Sequence, residues 1–181
     1  MIAFKEFPKI ARLSRQCVVT EKIDGTNSSI FIGEDGEFLC GSRTRWITPT
    51  DDNFGFAKWA HEHKDELLAL GPGHHFGEWW GAGIQRKYGL SGRRFSLFNT
   101  SRWSDPSLYP KCCYVVPILY AGLFETDAVA DCLQKLHDLG SRAAPGFMDP
   151  EGVVVFHVAA NMSFKKTIKN DEEPKSKSTA R

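Results

Sequence analysis

Apolar residues recur along this chain at two different periods. Residues 18–20, 29–32 and 37–40 are short apolar runs separated by Asp24-Gly25 and by Glu34-Asp35-Gly36. They predict short strands, with the second separator closing a tight hairpin. Between Asp51 and Leu70 the positions of Phe54, Trp59, Leu67, Leu68 and Leu70 fit helical segments, which Gly71-Pro72-Gly73 stops. HHFGEWW and the run Arg94 to Phe98 predict two further strands. A polar, proline-containing loop from Ser101 to Lys111 then leads into CYVVPILYAG, which is apolar enough for one core strand. In TDAVADCLQKLHDL the apolar residues Val129, Cys132, Leu133, Leu136 and Leu139 share one helical face. Thr126-Asp127 caps that helix and Gly140 ends it. VVVFHV and MSFKKTIK are the last predicted strands.

Strands outnumber helices and do not alternate with them, so the predicted class is α+β, built from antiparallel sheets flanked by helices. The 181 residues suit one domain, expected over 1–170. NDEEPKSKSTAR has no core-forming residue, which makes 171–181 a disordered tail with no accessory domain after it. No apolar run approaches the ~18–20 residues of a membrane span, and the N-terminus lacks a signal-peptide pattern, so the expected location is cytoplasmic. The five cysteines are odd in number and show no CxxC spacing, which favours free thiols over a disulfide framework or a zinc site. A net charge of +1 means that any nucleic-acid contact rests on a local patch. QRKYGLSGRR, residues 85–94, is one candidate for such a patch.

The chemistry concentrates around VVTEKIDGTNSSIFIG. An ordinary lysine amine, with a pKa of ~10.4, becomes a nucleophile near neutral pH only when burial or neighbouring cations favour loss of its proton. Lys22 has Glu21 and Asp24 beside it, and these act in the opposite direction. Its activation therefore calls for positive charge from elsewhere in the fold, a metal ion or the lysines of FKKTIK. Lys22 alone reads better as an exposed hairpin residue than as a nucleophile, and Asp24-Gly25 reads as an ordinary turn.

The ordered set Glu21-Lys22-Ile23-Asp24-Gly25-Thr26-Asn27, Ser42-Arg43, Phe76-Gly77-Glu78, Phe95-Ser96-Leu97-Phe98, Glu151-Gly152 and the late lysines resembles the motifs of the covalent nucleotidyltransferases. That superfamily comprises RNA ligases, DNA ligases and mRNA capping enzymes. The EKxxGTN form is most similar to the RNA ligase 2-like branch, and the resemblance spans about residues 15–170. It implies an adenylyltransferase domain with an ATP-grasp-like arrangement of sheets, and ATP as co-substrate with Mg²⁺ or Mn²⁺. It further implies an RNA end or nick as partner, with DNA possible, and a monomer.

By that resemblance Lys22 would carry AMP, Asp24 would orient the lysine or a metal-bound water, and Gly25 would let backbone approach the nucleotide. Glu21 and Ile23 would meet adenine through their main chain. Asn27 would contact the nucleotide or the strand end, Arg43 a ribose or phosphate, and Glu78 a ribose hydroxyl. Phe98 would stack on adenine, with Phe95 as its rival. Glu151 would hold the metal, and Lys165 and Lys166 would serve the last motif. The family places two lysines one residue apart on one strand face, whereas here Lys165 shares its face with Thr167. Alternatives are a DNA ligase, a capping-type guanylyltransferase, or a catalytically weak module that binds nucleic-acid ends.

Overall fold

Alternation along the first strand, β1 (Gln16–Lys22), sends Cys17, Val19 and Glu21 to a buried face and leaves Val18, Thr20 and Lys22 half-buried on the other. A period of two allows nothing else once one face is covered. In the computed structural model, which describes residues 2–169 and 171, β1 lies inside a four-stranded antiparallel sheet. Its neighbours are β8 (Ile118–Leu123) and β9 (Gly152–His157), and β10 (Met162–Thr167) pairs outside β9. The tail beyond Asp171 lies outside the described residues.

The second sheet has six strands in the order β4 (Trp46–Ile47), β3 (Phe38–Gly41), β2 (Thr26–Ile32), β5 (Gly73–Gly81), β6 (Arg93–Leu97) and β7 (Cys113–Val115). Its pairings are antiparallel except β6 with β7, which is parallel. Helices α1 (Phe56–Glu62) and α2 (Lys64–Leu67) cover one face. There Phe56, Leu67, Leu70, Trp79 and Phe95 make the main core. The Asp52 carboxylate starts α1 by accepting the N–H groups of Ala57 at 2.8 Å and Lys58 at 2.9 Å.

α3 spans Thr126–Leu139 as its apolar stripe predicts, and packs Val129, Cys132 and Leu136 onto Val19, Val153 and Val155. Full burial of a residue such as Leu136 stabilises by roughly 1.5–3 kcal/mol. Leu139, expected on the same stripe, is exposed in the last turn.

CYVVPILYAG departs from the expectation of one core strand. Pro117 has no N–H for a ladder, and the chain leaves one sheet there and enters the other, with β7 before it and β8 after it. β8 is an edge strand with Ile118 and Leu123 exposed. The chain thus passes between the sheets at 23–25 and again at 116–117. Ile23 and Val116 meet there in a small apolar cluster with Trp80, Tyr88 and Ala144.

Candidate active site

Between the two sheets lies a cavity of about 930 Å³, near the upper end of the ~300–1,000 Å³ usual for small-molecule sites. Lys22, the last residue of β1, lines it, and its ammonium pairs with the carboxylate of Glu151, which immediately precedes β9. The ladder fixes what stands beside Lys22. Lys22 pairs with Gly152, which pairs with Thr167, and one step along, Thr20 pairs with Val154, which pairs with Lys165. Directly paired residues of antiparallel strands project from the same face. Lys165 therefore shares the cavity face with Lys22, and it lines the cavity.

Lys166 does not. The pleat turns it to the opposite face of β10, where it sits 3.7 Å from Asp171, so the structure does not bring it to the cavity with Lys22. Thr167 occupies the cavity face where the family's second lysine would stand, and Lys169 ties instead to Asp149 at 2.7 Å.

The turn after Lys22 is held from three sides. The Asp24 N–H donates to the Tyr88 hydroxyl at 2.7 Å, and the Asp24 carboxylate accepts from Arg86 Nε at 3.1 Å. The Gly25 N–H donates to Glu78 Oε1 at 3.0 Å, and Asn27 Nδ2 donates to Glu78 Oε2 at 3.0 Å. A Cβ on Gly25 would overlap the Trp79 carbonyl and lie 2.7 Å from Trp80 Cβ. Glycine is needed here because β5 passes so close, which differs from the expectation of room for a nucleotide. Glu78 is buried in the wall, and burial pushes its carboxyl up to about 7. The N–H of Gly25 and the charge of Lys22 pull it down, while Glu151 pushes it up.

Glu21 is among the most buried charged residues, 1% exposed. Its carboxylate accepts from Ser141 Oγ at 2.6 Å and from the N–H groups of Arg142 at 2.7 Å and Ala143 at 2.9 Å. Its own N–H donates to the Pro117 carbonyl at 3.0 Å. Glu21 thus binds β1 to the loop after α3, and with Ile23 it borders the cavity while both side chains are turned into the protein.

Arg43 and Phe98 line the cavity from exposed positions. Phe95 is fully buried against Phe56 and Trp59, which leaves Phe98 as the accessible ring of that pair. The arginines of the basic stretch 85–94 brace neighbouring segments. Arg86 bridges Asp24 and Asp149, Arg93 donates to the carbonyls of Ala82 and Phe54, and Arg94 donates to the Ala143 carbonyl.

A family profile for RNA ligase matches residues 15–170. The chain belongs to the RNA ligase family. No curated protein matches it by sequence. Among solved structures it is similar to a Naegleria gruberi RNA ligase mutant with ATP and Mn (TM-score 0.64, 22% identity, 86% of this chain and 50% of that one). It is also similar to an apo mutant of that ligase (0.61, 22%, 84% and 49%) and to that ligase with pyrophosphate (0.59, 20%, 85% and 50%). The chain therefore spans about half the length of these relatives, and at such identity they establish the fold. The α+β class and the predominantly antiparallel sheets agree with them.

Within this RNA ligase domain the donor set also bears on a metal. Among the described residues no three acidic, histidine or cysteine side chains converge on one point. Asp24 and Glu78 line the cavity with hard oxygen donors, and Glu151 stands behind Lys22. That set fits a cation such as Mg²⁺, which takes one or two carboxylates and completes its shell with phosphates and water. Arg86, Tyr88 and Ser141 are site-shaping residues that sequence reading missed. Each lies more than 60 positions from the group it holds, and only the basic cluster around Arg86 gave any sequence signal.

Proposed function

We propose that this chain carries the adenylyl-transfer chemistry of an ATP-dependent RNA ligase, with Lys22 as the nucleophile. The observation that carries the proposal is Lys22 on the cavity face of β1, paired with Glu151 and sharing that face with Lys165.

Lys22 Nζ attacks the α-phosphorus of ATP. The N–P bond forms, the bond to the β-phosphate bridging oxygen breaks, and pyrophosphate leaves. The proton that Nζ sheds has an acceptor in place, the Glu151 carboxylate already hydrogen-bonded to it. Asp24, Glu78 and Glu151 are the carboxylates that would hold a divalent ion together with the phosphates, and the ion would supply neutralisation of phosphate charge. Lys165 faces the same space and adds positive charge there. Arg86 and Tyr88 fix Asp24, and Glu78 fixes Gly25 and Asn27, so the turn beside the amine is positioned before substrate arrives.

Phe98 offers an exposed ring for adenine, and Arg43 a cation for ribose or phosphate. The 5′-phosphate oxygen of a nucleic-acid end then takes the AMP from Lys22. A 3′-hydroxyl attacks that phosphate, a phosphodiester forms, and AMP is released.

The test is incubation with α-labelled ATP and Mg²⁺ or Mn²⁺, followed by denaturing electrophoresis. Label on the wild type and none on Lys22→Ala is the expected result. Equal label on both, or none on either, overturns the proposal. Replacing ATP by GTP separates a capping-type activity, and parallel RNA and DNA nicks separate the substrate classes.

A further inference from the structure

Outside the residues used above, the face of β5 that carries Glu78 also carries His74 and Phe76, four and two positions earlier. With Trp46 of the edge strand β4 they form a row of three rings. Phe76 and His74 stack at 4.2 Å with 25° between planes, and His74 and Trp46 at 5.6 Å with 21°. Phe31 packs edge-on against His74 at 5.9 Å, and His74 Nε2 lies 3.0 Å from Ser29 Oγ, so the middle ring is locked. The outer rings are not covered: Phe76 is 56% and Trp46 50% exposed. His74 and Phe76 line the same cavity as Lys22 and Phe98. Arg43 lies on the turn that leads into Trp46 and also lines it.

We propose that Phe76, His74 and Trp46 form a stacking platform for unpaired bases of the strand end, running from the nucleotide cavity to the edge of the six-stranded sheet. The proposal rests on the ligase reading, since that reading supplies a nucleic-acid end. Three lines of physical chemistry support it. A pre-locked stack gains a further ring at little ordering cost. Aromatic rings take any base by its face, worth ~1–3 kcal/mol per base. Arg43, which lines the same cavity, offers a cation to the phosphate that accompanies each base. Exposed rings in water are otherwise a liability, and a contiguous row opening into a cavity marks a binding surface.

The test compares a short 5′-phosphorylated single-stranded RNA with the same strand made abasic at the nucleotides nearest the phosphate. Binding to the full-length chain is followed by strand anisotropy without ATP. The wild type is expected to bind the base-bearing strand roughly 5- to 150-fold more tightly, the ratio that the stacking range corresponds to. Trp46→Leu is expected to shrink that preference and Trp46→Phe to keep it. A purely structural role for Trp46 would alter affinity for both strands alike. Equal binding of the two strands by the wild type, or an unchanged preference in Trp46→Leu, overturns the platform. Formation of labelled lysyl-AMP by the wild type is read separately. Its absence would overturn the ligase reading, while the base preference stands or falls on its own measurement.

Discussion

Replacing Glu78 by glutamine should make the protein more resistant to unfolding at alkaline pH relative to acid pH. Glu78 is 8% exposed, and burial raises its carboxyl from 4.5 to about 7. The unfolded chain releases this proton around its ordinary value, while the folded protein keeps it until about 7. Between those values the folded state holds a proton that the unfolded state has lost, so this residue's contribution falls as pH rises and stays low above about 7. At ~1.4 kcal/mol per pKa unit the full loss is about 3 kcal/mol, most of which falls between about pH 5 and about pH 8.

Glutamine has the shape of the neutral acid and can still accept from the Gly25 N–H. Asn27 must turn its amide to present a carbonyl to the new NH₂. Urea unfolding of wild type and Glu78→Gln across that pH range measures the difference in stability at each pH. Taking the difference cancels other titrating groups, such as the buried His75, whose lowered pKa acts in the opposite direction. Curves that run parallel would refute the reasoning, because Glu78 would then titrate alike in both states.

Lys165→Ala should slow lysyl-AMP formation by roughly 10²–10³-fold, the usual effect of losing one charge-stabilising group, whereas Lys166→Ala should leave it near wild type; quench-flow labelling with ATP compares them. Gly25→Ala should lower stability by about 1–3 kcal/mol, as overpacking usually does, since its Cβ meets backbone that cannot yield; thermal melting reads this. Glu21→Ala leaves a hydroxyl and two backbone N–H groups without their acceptor, at ~1–3 kcal/mol for each group that water cannot reach, so it should compromise folding while Glu21→Gln is milder; soluble yield and urea midpoint distinguish them.

Motif order and strand period singled out Lys22, Glu78, Glu151 and Lys165, and the structure brings Lys22, Glu78 and Lys165 to one cavity and pairs Glu151 with Lys22. The face of Lys166 was equally readable from that pattern, since adjacent strand residues point oppositely. Glu21 was not, because its three donors lie in residues 141–143 and no local pattern announces them. The arginines of the stretch 85–94 are likewise matched to distant carbonyls and to Asp24 and Asp149, partners that no local pattern announces. CYVVPILYAG read as one strand on hydrophobicity alone, although Pro117 marked the place where the ladder had to break.

The paired crossings at 23–25 and 116–117, cemented by Ile23, Val116, Trp80 and Tyr88, act as a spine along which the protein is bound like a book. Lys22 is the last residue before that binding, whereas Arg43 and Phe98 belong to the leaf of six strands alone, so the cavity is a seam with one lysine rooted at the fold line and two exposed groups rooted in a single leaf.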